Sequence, residues 1–188
     1  MPVEDTLIAR ICHDLITPCN AINLGMEAYE LSEDKSLLLC IKDSALKANV
    51  ILKFMRELFI TRDQGSLCSV DSLRKLVSEF LGVYNIGCSF VTNYRDLNPS
   101  LGRVILFDGA VVRELMPMGG KVEFSINDEC VRITYSGNGA IGLDTFPPKD
   151  LTYKNILRFK LLEQLKASGF SVNSSIENGR GFIIETRI

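Results

Sequence analysis

The sequence predicts an α+β protein: an N-terminal antiparallel helical hairpin over residues 1–62, then a two-layer α/β sandwich over residues 67–188. Three features carry this. Two long stretches repeat apolar residues at spacings of three and four, a short polar stretch ends that pattern, and shorter helices and strands punctuated by Gly, Pro and Asn follow it.

The first helix is expected from Glu4 to Leu31, where Ile8, Ile11, Cys12, Leu15, Cys19, Ile22, Met26 and Tyr29 form an apolar stripe. The second is expected from Ser36 to Ile60, with Leu37, Ile41, Ala45, Ala48, Ile51, Leu52, Met55 and Phe59 on one side. Only Ser32-Glu33-Asp34-Lys35 separates them, so the helices must run antiparallel. At ~1.5 Å per residue each is roughly 35–40 Å long. A two-helix hairpin cannot enclose its own stripe. The simplest remedy is a second copy across a two-fold axis, so a homodimer with a four-helix bundle is expected.

Thr61-Arg62-Asp63-Gln64-Gly65-Ser66 reads as a linker. Beyond it, Asp71–Leu81 reads as a helix with Leu73, Leu76, Val77 and Phe80 on one face, and Cys88–Tyr94 alternates as a strand. Arg103–Met116 reads as a helix ended by Pro117 and Gly119-Gly120. Lys121–Ile126 and Val131–Tyr135 make a hairpin around Asn127-Asp128-Glu129. A last helix, Tyr153–Ser168, stops at Gly169. Phe170–Ile176 and Phe182–Arg187 form a final hairpin across Glu177-Asn178-Gly179-Arg180, because Asn-Gly is a strong turn dipeptide. About five strands are expected, mostly paired antiparallel.

Composition excludes several functions. A net charge of −2 supplies no basic field for nucleic acid or an anionic membrane surface. No apolar run approaches the ~20 residues that span a bilayer. Met1-Pro2-Val3-Glu4-Asp5 lacks the basic start and apolar stretch of a signal peptide, so a cytoplasmic location is expected. The six cysteines, at 12, 19, 40, 68, 88 and 130, form no C-x-x-C pair or metal-ligand spacing, and one histidine cannot complete a Cys/His zinc site. They read as small apolar core residues in a reducing compartment, and no metal is expected on this chain.

The candidate reactive residue is that histidine, His13. On a wheel of about 100° per residue with Ile8 at zero, the stripe lies within about −60° to +40° and His13 at about 140°. Arg10 at about 200°, Thr17 at about 180° and Asn20 at about 120° share its polar side. A plain surface histidine would need nothing more. The local string His13-Asp14-Leu15-Ile16-Thr17-Pro18 argues for chemistry instead. A neutral imidazole nitrogen is a competent nucleophile toward phosphorus and a good leaving group from it. Asp14 can accept a hydrogen bond from the other ring nitrogen and stabilise the cation formed in transfer. The Thr17 hydroxyl, one turn on, could orient a water. Pro18 removes one helical hydrogen bond and bends the helix.

This string resembles the H-box of histidine kinases. The longer stretch Ala9-Arg10-Ile11-Cys12-His13-Asp14-Leu15, with Pro18, Ala21-Ile22, Gly25 and Glu27, is similar to the alphaproteobacterial histidine phosphotransferases of the ChpT family. Ser44-Ala45 and Arg56 suit the family's second helix. Leu115-Met116-Pro117-Met118-Gly119-Gly120 resembles the segment that closes the second helix of a histidine-kinase ATPase domain.

The resemblance implies a dimer whose C-terminal domain is a degenerate ATPase-like sandwich. It also implies a relay in which His13 takes phosphate from a receiver domain of a hybrid histidine kinase of the CckA type and gives it to response regulators of the CtrA and CpdR type. Asp14 and Thr17 assist the chemistry, Arg10 and Asn20 meet the partner, and the receiver supplies Mg²⁺. ATP use is not expected. In Phe107-Asp108-Gly109-Ala110-Val111-Val112-Arg113-Glu114 valine stands where a kinase has its Mg²⁺-holding Asn, and Tyr135-Ser136-Gly137-Asn138-Gly139 has Tyr where the adenine-binding Asp belongs. The loop from Ala140 to Asp150 is too short for a nucleotide lid. Two alternatives stay open: a small soluble ATP-dependent histidine kinase, and a non-catalytic dimeric adaptor for a response regulator.

Overall fold

A computed structural model describes residues 3–59, 68–127, 130–136, 155–167, 169–177 and 181–187. It divides the chain into two compact units, Met1–Phe59 and Ile60–Ile188.

The first unit is the hairpin. Helix α1 runs Val3–Ser32 without interruption through Pro18, and α2 runs Ser36–Phe59. Glu33 ends α1 in the left-handed region, at φ 54°, with its amide donating to the Tyr29 carbonyl over 2.8 Å. The Asp34 carboxylate then accepts from the Ser36 amide at 2.8 Å and caps α2. Burial on α2 is concentrated in Ile51, Phe54, Met55 and Leu58, near its C-terminal end. Because the helices are antiparallel, that end lies beside the start of α1.

The faces of α1 differ from expectation. Its buried residues are Thr6, Arg10, Asp14 and Pro18, a row at intervals of four. Ile8, Cys12, Ile16, Cys19 and Met26 are exposed, and Ile11, Leu15, Ile22 and Tyr29 are half-buried. A row four residues apart advances about 40° per step around a helix of 100° per residue. The inner line of α1 therefore begins on residues that an apolarity wheel assigns to the outside. On α2, Leu39, Leu46 and Leu52 are also exposed. Half the predicted α1 stripe, and Ala45 and Leu52 of the α2 stripe, thus stay uncovered in one chain.

The second unit is the sandwich. After a two-residue strand β1 (Cys68–Ser69) comes α3, Val70–Gly82. The Ser69 side chain caps it by accepting from the Ser72 amide, and Leu73, Val77, Phe80 and Leu81 are its buried residues. Strand β2 (Ile86–Val91) and the two-residue β3 (Asp96–Leu97) precede α4 (Pro99–Leu115). Asn98 caps α4 by accepting from the Leu101 amide at 2.8 Å, with Pro99 in the first turn, where its missing N–H costs nothing. Strands β4 (Gly120–Ile126) and β5 (Cys130–Ser136), helix α5 (Ile156–Ala167), and strands β6 (Ser171–Glu177) and β7 (Gly181–Arg187) complete it.

The five-stranded sheet has the order β2-β4-β5-β7-β6. Three of its pairings are antiparallel, as expected, but β2 and β4 are parallel, with Ile86 opposite Gly120 and Val91 opposite Ser125. The reason is the connection: α4 lies between them and carries the chain back, so β4 enters in the direction of β2. Strands β1 and β3 form a separate antiparallel pair, too short to show periodicity. Along β4, Val122, Phe124 and Ile126 are buried while Lys121 and Glu123 are exposed, the signature of a sheet covered on one face. Helices α3, α4 and α5 make the other layer, and nearly every residue of α4 from Leu101 to Val112 is buried.

The expected linker at 61–66, most of the Ser136–Gly139 glycine segment, the 140–150 loop, the start of the last predicted helix and the 178–180 turn lie outside the described residues. The cysteine expectation holds only for the second unit. Cys68 and Cys130 are buried and Cys88 half-buried, but Cys12, Cys19 and Cys40 are exposed on the hairpin helices.

Candidate functional site: the His13 turn of helix α1

Helical spacing assembles the site within two turns. Arg10 and Asp14 are four apart and so lie on one face, and His13 precedes Asp14 by one residue. Arg10 Nε donates to Asp14 Oδ2 at 3.0 Å. The other carboxylate oxygen, Oδ1, lies 3.3 Å from His13 Nδ1. The side chains of Arg10 and Asp14 are 3% and 0% exposed, whereas that of His13 is 55% exposed. A water-accessible imidazole thus rests on a buried carboxylate, which is in turn held by a buried guanidinium.

Burial strengthens this chain of contacts. A charge-assisted bond inside a protein is about twice as strong as a neutral one, and the low local dielectric adds to it. With the proton on Nδ1, His13 donates to Asp14, the Nε2 lone pair is available to an electrophile, and the carboxylate balances the imidazolium that would follow.

Each predicted site residue can now be placed. His13 is exposed and Asp14 touches it, as the string His13-Asp14 suggested. Thr17 and Asn20 are exposed on the following turns. Arg10 is the correction: expected on the outer polar side, it is buried on Asp14. The missed signal was available, since Arg-x-x-x-Asp is an i,i+4 ion-pair spacing.

In the second unit, both valines of the Val111-Val112 pair are fully buried. The buried carboxyl of this helix belongs to Asp108, which is 0% exposed and has no hydrogen-bond partner on either oxygen among the described residues. Burial holds it well above the ordinary carboxyl range.

No protein-family model matches the chain. The fold is nevertheless a known one. It is shared with a bacterial phosphotransferase solved at 1.7 Å, at a TM-score of 0.81 over 98% of this chain and 95% of that one, with 19% identity. A looser match is the histidine kinase AdeS of Acinetobacter baumannii, at a TM-score of 0.51 over 94% of this chain and 96% of that one, with 14% identity. In sequence, the chain is similar to the protein phosphotransferase ChpT of Brucella abortus (strain 2308), 44% identical over 54 residues. That stretch is 28% of this chain and 26% of the relative's length. The relative found in sequence bears the family name read from the H-box, and the fold is one that a solved phosphotransferase and a histidine kinase share.

Proposed function

We propose that this chain is a histidine phosphotransferase of a His–Asp phosphorelay, carrying phosphate on His13 between receiver-domain aspartates. The observation that carries the reading is the exposed imidazole with Asp14 Oδ1 at 3.3 Å from Nδ1. The ChpT similarity and the phosphotransferase fold support it. His13 attacks the phosphorus of a receiver aspartyl phosphate in line, the carboxylate leaves, and the reverse step delivers phosphate to a second receiver. The receiver contributes its acidic pocket and Mg²⁺ to neutralise the moving charge. By the family resemblance the donor is a hybrid kinase of the CckA type and the acceptors are regulators of the CtrA and CpdR type. Asn20 and the exposed turns around His13 meet them, and Thr17 stands where it could orient a water.

The chain works in the cytoplasm as a homodimer on this reading. Exposed Ile8, Ile16 and Met26 on α1, with Leu39, Leu46 and Leu52 on α2, favour a partner helix pair over solvent. No helix among the described residues is long and apolar enough to cross a membrane. ATP is not the phosphate source, because valine and tyrosine replace the Asn and Asp that a nucleotide site of this fold requires.

Incubation with a receiver domain bearing labelled phosphate tests the reading. Label should reach the wild type and not His13→Ala, and an equal signal in both refutes the transfer. Retention of regulator binding and output by His13→Ala would instead favour the adaptor. A nucleotide titration that saturates at micromolar ATP would favour the kinase.

A further inference from the structure

We propose that Arg10 is a positioning residue of the phosphoryl-transfer site, acting through Asp14 to set which nitrogen of His13 takes phosphate. The inference rests on the reading of His13 as the phosphate carrier, but its structural half can be tested without phosphate.

A carboxylate beside an exposed imidazole has two oxygens and free rotation, and a solvated one would spend little time on Nδ1. Asp14 is not solvated: its side chain is fully buried. Arg10 Nε holds Oδ2 at 3.0 Å, and this bond turns Oδ1 toward His13 Nδ1. Free imidazole in water favours the proton on Nε2, which would leave the lone pair on Nδ1, close to the helix backbone. A carboxylate fixed against Nδ1 reverses that preference, because the bond it accepts exists only when Nδ1 carries the proton. The lone pair then resides on Nε2, at the far end of the ring from the helix.

In the transfer, the Nε2 lone pair forms the N–P bond as the bond from phosphorus to the receiver's aspartyl oxygen breaks, its electron pair leaving on the receiver carboxylate. Nδ1 keeps its proton throughout, so the ring becomes cationic, and Asp14 balances that charge. In the return step the receiver's carboxylate attacks phosphorus, and the pair of the breaking N–P bond goes back to Nε2. Arg10 touches neither phosphate nor partner. It fixes the carboxylate that fixes the ring.

The test exploits the fact that this chain has one histidine. In the full-length protein labelled with ¹⁵N-histidine, long-range ¹H–¹⁵N correlation spectra report the tautomer with no assignment problem. The wild type should show a protonated Nδ1 and an unprotonated Nε2 in its neutral form. Arg10→Ala should lose that preference and load phosphate about 10–100-fold more slowly, by analogy with the loss of the partners that orient metal-ligating histidines. Arg10→Lys, which keeps a charge four residues from Asp14, should recover part of both. It also serves if Arg10→Ala does not fold.

A wild type with its neutral proton on Nε2 overturns the proposal, as does an Arg10→Ala or Arg10→Lys variant with unchanged tautomer ratio and loading rate. A wild type that has the Nδ1–H tautomer but never accepts phosphate refutes the relay reading while leaving the Arg10–Asp14–His13 coupling intact.

Discussion

Replacing Asp108 with asparagine removes a titrating proton from the middle of α4 while almost keeping the side-chain shape. The carboxyl is 0% exposed, its helical neighbours Val104, Ile105, Val111 and Val112 are fully buried, and neither oxygen has a hydrogen-bond partner among the described residues. Desolvation opposes the charged form, so the folded-state pKa lies well above the ordinary value of 3.8.

The sign follows from proton counting. Between the unfolded and folded pKa the native state binds more protons than the unfolded chain, and stability falls as pH rises. The contribution is fully present below 3.8 and is lost as the pH climbs through the folded value. Each unit of elevation amounts to about 1.4 kcal/mol.

Asparagine leaves a buried amide, which costs about 1–3 kcal/mol by itself, so stability at a single pH is not diagnostic. The slope is. Urea unfolding followed by circular dichroism across a pH series should show the wild type losing about 1.4 kcal/mol per pH unit relative to Asp108→Asn above 3.8, with a plateau once Asp108 is ionised. Amide exchange in α4 should follow the same course. Parallel curves for the two proteins would refute the idea that Asp108 is buried as an acid.

Three further outcomes are expected. Gly119 has φ 76°, and a Cβ built there would lie 2.6 Å from the Asn85 carbonyl oxygen, so Gly119→Ala should destabilise the second unit by about 2 kcal/mol or more in urea titrations. Gly25→Ala gains helix propensity of about 1 kcal/mol but sets a Cβ 2.7 Å from Ile41 Cγ1; overpacking costs about 1–3 kcal/mol, so thermal unfolding should show a net loss. In brief alkylation read by mass spectrometry, buried Cys68 and Cys130 and the thiol of Cys88, pushed by burial to about 11, should stay unmodified. Cys12, Cys19 and Cys40 should react in a monomer, and protection of Cys12 and Cys19 at high protein concentration would place the dimer contact on that face of α1.

Where apolar spacing or caps governed an element, the sequence was a good guide. Both hairpin helices lie within a few residues of their predicted bounds, since long runs at spacings of three and four leave little choice. Ser69 and Asn98 extended α3 and α4 upstream of their predicted starts, because a cap acts before the apolar pattern begins. The direction of β2 relative to β4 was hidden, being decided by a crossover rather than by either strand's residues. At the site, the contact between the exposed His13 ring and the Asp14 carboxylate was legible. Arg10 was misplaced because a wheel weighted by apolarity treats a charged side chain as outside, whatever carboxylate lies one turn away.

The contacts among Arg10, His13 and Asp14 all fall within two turns of one helix. Such an arrangement is portable. On the proposed reading, the phosphate carrier has its orienting partners within a five-residue interval of the same helix, and needs from the rest of the hairpin the burial of Arg10 and Asp14. On that reading, surfaces that choose a correspondent could diverge without retuning the nucleophile, and duplicated copies of such a chain could acquire new correspondents while keeping identical chemistry.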